Sequence, residues 1–309
     1  MGTERFFSEQ GGNAMIQVEN LVKHYAKVRA VDDVSFAVGP GEMFGLLGPN
    51  GAGKTTTIRI LMDIIKPDSG VVRLFGQPLT GAAKARIGYL PEERGLYKNY
   101  GLLENLGFLG ALKGMPRAEA RARAGALLER VGLAEYATRK TKELSKGMNQ
   151  KAQFLAAIVH DPDLLILDEP FQGLDPVNTD LLKTMLLEEQ ARGKTVILST
   201  HNMNQVEEMC NRILLINHGR AVLYGSLTEI KAGYAQHAVN LGCDALPDSL
   251  PGVERVERDN HLLHLILEPE TSPQALLRHL VAKGVVIHHF EVATPPLEEI
   301  FVSVVGGAA

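Results

Sequence analysis

The stretch Gly48-Pro49-Asn50-Gly51-Ala52-Gly53-Lys54-Thr55 fits the pattern G-x-x-x-x-G-K-[ST] without a mismatch. It constrains the fold because the pattern carries meaning only between a buried strand and a helix. Glu42 to Leu47 is a short apolar run that reads as the strand. Thr56 to Ile65 places Ile58, Leu61, Met62 and Ile65 at helical spacing. In that setting the glycines let backbone N–H groups converge on phosphate oxygens, and the helix N-terminus adds its dipole. Lys54 would reach the β- and γ-phosphates, and the Thr55 hydroxyl would sit on Mg²⁺. The competing reading is a chance glycine turn; the strand before it and the helix after it favour a bound nucleotide.

The 309 residues suit one large domain and a small one. A net charge of −4 gives no electrostatic footprint for DNA or RNA, so no nucleic acid is expected as the main ligand. Cys210 and Cys243 match no metal-ligand spacing, which argues against structural zinc or a disulfide framework and fits a reducing cytosol. Met1 to Asn13 lacks an apolar signal core, and residues 1–14 read as a disordered arm. No run of eighteen or more apolar residues is present, so the chain is not expected to cross a membrane by itself.

Met15 to Val22 and Val31 to Val38 alternate as half-buried strands, and Gly39-Pro40-Gly41 turns the chain into the glycine-loop strand. Strands are expected again at Val71 to Phe75 and Ile87 to Leu90, the latter ending at Pro91 and the charged Glu92-Glu93-Arg94. From Leu102 to Tyr136 the pattern turns helical, with Leu102, Leu103, Leu106, Leu109 and Leu112 on one face and a second helix from Arg117 to Val131. A polar loop, Leu144 to Met148, leads into a helix from Asn149 to Val159. Leu164 to Leu167 is continuously apolar, as buried parallel strands are. Helix Thr179 to Gln190, strand Thr195 to Ser199, helix Asn204 to Cys210 and strand Ile213 to Asn217 then alternate, which predicts βα units around a mostly parallel sheet. After about Tyr234 the composition changes. Two strands joined at Asp259-Asn260, a helix from Ser272 to Ala282, a strand from Val285 to Val292 and a helix from Pro296 to Val305 predict an α+β appendage of about 75 residues.

The second chemical constellation is Asp168-Glu169, at the end of the apolar strand where open α/β sheets place their ligands. Asp168 has the position of a Mg²⁺ carboxylate, and Glu169 could orient or deprotonate the attacking water. Without the glycine loop, the plainer reading is an acidic turn before Pro170. His201 follows the strand Val196 to Ser199 and would lie on the same edge; a lone histidine there is more often a structural hydrogen-bonding residue.

Taken together, Gly48 to Thr55, Leu144-Ser145-Lys146-Gly147-Met148, Leu164 to Glu169, Gly173-Leu174-Asp175 and Thr200-His201 resemble the nucleotide-binding subunit of an ABC transporter over residues 15–231. The signature loop, the Tyr89 to Tyr97 stretch and the appendage resemble ABC-2-type systems, often exporters, such as the sodium-efflux group. The resemblance implies a P-loop NTPase of ABC type. Its mostly parallel sheet would be joined by an antiparallel β subdomain and a helical subdomain at about 96–150, with a small α+β domain over 235–309. It implies ATP and Mg²⁺ as cofactors. Tyr25 would stack on adenine, Gly48 to Thr56 would bind the phosphates, and Thr55, Glu92 and Asp168 would serve the metal. Glu169 and His201 would be catalytic, and Ser145 and Gly147 would contact the γ-phosphate held by a second subunit. Glu92 stands where the family usually has glutamine, and Lys146 and Met148 replace the commoner Gly and Gln. Asp175 matches the loop that crosses the subunit interface.

The implied assembly is a head-to-tail homodimer driving a separate membrane permease from the inner face of the cell membrane, on the cytoplasmic side. An ATPase acting on ribosomes or nucleic acid is the alternative, although such relatives carry paired cassettes, coiled coils or zinc cysteines that this chain lacks. A third reading is a non-catalytic ATP switch, which Lys54, Asp168, Glu169 and His201 oppose. His261, His264, His288 and His289 suggest a metal. Adjacent His288 and His289 face opposite sides of a strand, so all four are expected to be surface or packing residues.

Overall fold

The computed structural model describes residues 14–93, 95–234, 238–247, 249–259, 262–268 and 270–306. The arm expected over residues 1–14 falls, apart from Ala14, outside the described residues, as do Arg94, Asn260 and His261. Compactness divides the chain into two units between Leu227 and Thr228.

In the first unit a six-stranded sheet has the order β5-β6-β7-β3-β8-β9. Its members are β3 (Met43–Leu47), β5 (Ile87–Leu90), β6 (Leu164–Asp168), β7 (Thr195–Thr200), β8 (Arg212–Asn217) and β9 (Arg220–Ser226). All pairs are parallel except β8 with β9. Every residue of β3, β6 and β7 is buried, which is why each contains an unbroken apolar run, only three residues long in β7, rather than an alternation. A three-stranded antiparallel sheet, order β2-β1-β4, is formed by β1 (Ile16–Tyr25), β2 (Val28–Val38) and β4 (Ser69–Leu74). Phe36 of β2 stacks on Phe44 of β3 with ring centroids 5.7 Å apart, and Ile58 and Leu61 of helix α1 (Lys54–Leu61) join the same core. The helix that follows the glycine loop is therefore clamped by apolar side chains from both sheets.

Short helix α2 (Gly81–Ala85) precedes β5, and three longer helices follow: α3 (Leu102–Leu112), α4 (Arg117–Arg130) and α5 (Lys146–Ile158). The buried residues of α3 are Leu102, Asn105, Leu106 and Gly110, and Leu112 is 66% exposed. The leucine stripe expected as one face is thus split, because Gly110 must meet Ala120 of α4. A Cβ at Gly110 would lie 3.0 Å from that of Ala120. Helix α5 begins three residues earlier than its apolar pattern predicts, because the Ser145 hydroxyl accepts from Met148 N–H at 3.2 Å and caps it. Helices α6 (Pro176–Ala191) and α7 (Met203–Met209) complete the alternation.

Helix α8 (Leu227–Gly233) spans the division between the units. The second unit has an antiparallel sheet of order β11-β12-β10-β13, built from β10 (Ala238–Cys243), β11 (Val253–Asp259), β12 (Leu262–Leu267) and β13 (Ile287–Val292). Leu276 and Leu280 of α9 (Pro273–Ala282) pack with Val239, Leu241, Leu265 and Leu267; α10 (Leu297–Gly306) follows β13. His288 bonds Asp244 at 2.6 Å, His289 bonds Glu291 at 3.3 Å, and His264 bonds Asn240 at 2.8 Å. These three histidines are satisfied separately, and no metal-holding cluster exists among the described residues. No helix of the described residues is long and apolar enough to cross a membrane.

His160, just after α5, donates from Nε2 to the Ile87 carbonyl at 3.1 Å, while its buried Nδ1 has no partner among the described residues. Burial and the nearby Lys113 ammonium depress its pKa from 6.5 to about 4. The unfolded chain takes up this proton near 6.5 and the folded chain withholds it until about 4, so the stabilisation is present at neutral pH and is lost on acidification. Thermal or urea unfolding should show about 2 kcal/mol less stability at pH 5 than at pH 7 from this group. His160→Gln, which keeps a donor for Ile87, should remove that part of the acid sensitivity.

Candidate active site

Sheet order explains why distant sequence segments meet. Strand β7 lies between β6 and β3, with Leu47 opposite Thr200 and Asp168 opposite Ser199. The glycine loop, the Asp168-Glu169 pair and Thr200-His201 therefore leave the sheet from three adjacent C-terminal ends, and β5 delivers Glu92 to the same edge. Val28, Ala30, Asn50 to Thr56, Glu92, Asp168 and Glu169 line one cavity of about 390 Å³.

Two glycines of the loop have no substitute. Gly48 has φ of +148° and a Cβ there would sit 2.1 Å from the Ile216 carbonyl oxygen; at Gly53, φ is +115° and the clash would be 2.3 Å from that of Ala30. Lys54, only 7% exposed, donates to the carbonyls of Gly48 at 2.6 Å and Pro49 at 3.2 Å. Burial holds the Lys54 ammonium below its ordinary pKa, against the pull of Glu169, Asp168 and Glu92.

Asp168 is 1% exposed. Thr55 Oγ1 donates to its Oδ2 at 2.9 Å and Ser199 Oγ to its Oδ1 at 2.7 Å. Burial pushes its pKa up, and the hydrogen bonds from Ser199 and Thr55 pull it back. Glu169 has a left-handed φ of +50°, a conformation that costs a non-glycine residue about 1–3 kcal/mol and accumulates at functional sites. Its carboxylate meets Thr200 Oγ1 at 3.2 Å, the His201 N–H at 3.0 Å and His201 Nδ1 at 2.7 Å. From α5, Gln150 Nε2 donates to the carbonyls of Glu169 at 3.3 Å and Pro170 at 2.8 Å.

The structure brings together Gly48 to Thr56, Glu92, Asp168, Glu169 and His201, but not Tyr25, Ser145 or Gly147. Tyr25 ends β1, 46% exposed, with Lys23 Nζ 5.8 Å from its ring centroid, and does not line the cavity. Ser145 and Gly147 sit at the α5 N-terminus, also outside it. There Lys146 lies across Gly173: a Cβ at that glycine would be 2.7 Å from Lys146 Cε. Sequence reasoning passed over Ser199, Gln150, Val28 and Ala30. Ser199 carried a usable signal, being a polar residue directly after the apolar run Val196 to Leu198 near the end of its strand.

What these strand ends assemble is the phosphate-loop pocket of a P-loop nucleoside triphosphatase. The ABC transporter family matches residues 31–172, and the family of the ATP-binding protein DrrA1-3-like C-terminal domain matches residues 225–305. The ABC transporter ATP-binding protein YhaQ of Bacillus subtilis (strain 168) is 38% identical over 295 residues, which cover 94% of this chain and 99% of the relative. Nod factor export ATP-binding protein I of Paraburkholderia xenovorans (strain LB400) is 38% identical over 271 residues, 87% of this chain and 86% of its own. A solved dimeric post-hydrolysis state of an ATP-binding cassette, bound to ADP and Pi, matches with a TM-score of 0.64 at 25% identity, covering 69% of this chain and 99% of that one. The chain belongs to the ATP-binding proteins of ABC transporters. It is an ATPase that energises transport through a membrane permease.

Ser199→Ala removes one of the two hydroxyls that hold Asp168 and leaves a buried carboxylate oxygen short of a donor. The expected cost is about 1–3 kcal/mol of stability, read as a lowered Tm, together with reduced ATP hydrolysis. Unchanged Tm and turnover would show that Asp168 does not depend on Ser199.

Proposed function

We propose that this chain hydrolyses MgATP as one half of a head-to-tail homodimer, on the inner face of the cell membrane, to drive an export permease. The observation that carries the reading is the composition of the cavity. It holds a phosphate loop, a buried lysine and three carboxylates, yet leaves out Ser145 and Gly147 of the same chain. A second copy facing the first supplies those groups to each nucleotide, and a twofold arrangement satisfies both sites at once.

In this reading the N–H groups of Gly51 to Thr56 and the Lys54 ammonium hold the β- and γ-phosphates, at the positive end of α1. Tyr25 offers a ring to the adenine, beside the apolar wall of Val28 and Ala30. An all-oxygen set, the Thr55 hydroxyl 2.9 Å from the Asp168 carboxylate, fits Mg²⁺, which prefers oxygen and keeps several waters. The ion would neutralise charge on the phosphates, with Glu92 on the same wall. Glu169 accepts or orients the proton of the attacking water. His201 Nδ1 fixes that carboxylate at 2.7 Å and leaves the other ring nitrogen to meet the γ-phosphate. The Nod factor relative supports export as the direction of transport.

Glu169→Gln removes the proton acceptor while keeping the shape of the side chain. Turnover should fall by about 10²–10⁴-fold, and light scattering with MgATP should report a stable dimer. A variant that stays monomeric under saturating MgATP would overturn the homodimer.

A further inference from the structure

A second cavity, of about 240 Å³, lies between the end of β5, helix α3 and helix α5. Sites for drug-sized ligands run to about 300–1,000 Å³, so this one suits a smaller body. Pro91, Leu96, Leu109, Leu112 and Ala156 supply its apolar wall.

The polar groups that remain on the wall are donors. Lys113 Nζ donates to the carbonyls of Lys84 at 2.6 Å and Ile87 at 3.0 Å, which leaves the third ammonium N–H without an acceptor among the described residues. No carboxylate pairs with this ammonium among the described residues; burial holds it below its ordinary pKa, and the neighbouring Lys84 ammonium pushes the same way. Gln153, 6% exposed, accepts the Gly95 N–H on Oε1 at 3.4 Å. That bond fixes the orientation of the amide, whose NH₂ group has no partner among the described residues. Tyr89 stays a neutral phenol, since burial pushes it up to about 12. His160 is neutral at pH 7, with Nε2 bound to the Ile87 carbonyl and Nδ1 buried. None of the lining residues is acidic.

A cation without a counter-charge and an amide donor without an acceptor, set beside a leucine wall, define the occupant. A carboxylate brings one negative charge and two acceptor oxygens. An alcohol would leave the ammonium charge unbalanced, and a phosphate monoester would set about 1.5–2 negative charges against one cation. An apolar body attached to the carboxylate covers the leucines, each buried CH₂ strengthening binding about fourfold. We propose that this cavity binds a small amphiphilic carboxylate of the medium-chain fatty acid class, its carboxylate on Lys113 and Gln153 and its apolar body against Leu109 and Leu112. The site is complete within one chain, so the proposal stands independently of the transport reading. Pro91 on its wall directly precedes Glu92 on the wall of the nucleotide cavity, which places the occupant one residue from the other site.

The test is a calorimetric titration of the full chain with octanoate below its micelle concentration, with 1-octanol as the uncharged control. One octanoate should bind per chain, and 1-octanol at least about tenfold more weakly, because a hydrogen bond to a charged group contributes about 10- to 100-fold. Lys113→Met keeps the stem and removes the charge. It should weaken octanoate at least about tenfold and leave 1-octanol within about twofold. Leu112→Glu, at a position 66% exposed and outside the core, sets a carboxylate beside the cavity. It should weaken octanoate by a similar factor, and it decides the matter if Lys113→Met fails to fold. Absence of saturable octanoate binding, equal affinity for octanoate and 1-octanol, or octanoate affinity unchanged in a folded variant of either kind would overturn the proposal.

Discussion

The structure turns on the burial of one carboxylate. Asp168 sits almost without water at the end of β6, where an ionised group survives only if its lone pairs are met. Its two donors come from elsewhere in the chain: Thr55 from the helix after β3, and Ser199 from β7. Both are available because β7 separates β6 from β3 in the sheet. In this order the acid is paired and the glycine loop lies one strand away from it. The apolar clamp on α1, from Phe36 and Phe44 to Ile58 and Leu61, keeps Thr55 in register with that acid. Fold and chemistry thus make a single demand on the sequence.

The charges around it are arranged in opposition. Lys54 is buried, and its ammonium is favoured by Glu169, Asp168 and Glu92 around the same cavity. Three carboxylates facing one lysine leave an excess of negative charge, which a polyanionic nucleotide would aggravate. A divalent cation would relieve that excess, which makes the oxygen pair Thr55–Asp168 and the phosphate loop one site in the proposed reading.

Much of this was legible in the sequence because the informative residues are contiguous. The glycine loop, Asp168-Glu169 and Thr200-His201 each lie at the end of an apolar run, and a run of that kind in an α/β chain points to a strand whose end faces the ligand. What stayed hidden depends on pairing across the sheet or on choosing between two apolar faces. Ser199 acquires its role only from lying opposite Asp168. Strands β9 and β10 were missed because Gly225 and Gly242 interrupt their apolar patterns. On α3 the spacing of five leucines could not reveal that Gly110 and Leu106 face inward while Phe108 and Leu112 face water. The cap at Ser145 likewise moved the start of α5, because a side-chain hydrogen bond and not apolar spacing sets that boundary.

The first two turns of helix α5 both make hydrogen bonds to other parts of the site. Its first turn carries Ser145 and Gly147, and one turn further along Gln150 grips the carbonyls of Glu169 and Pro170. In a head-to-tail pair the first turn would touch one nucleotide while Gln150 holds the peptide that aims the base at the other. In that arrangement the helix would act as a short lever between two reaction centres, and the loss of a γ-phosphate on one side would be felt as a torque on Glu169 at the other. Two active sites coupled in this way would fire in sequence rather than independently, with a single turn of helix as the timing element.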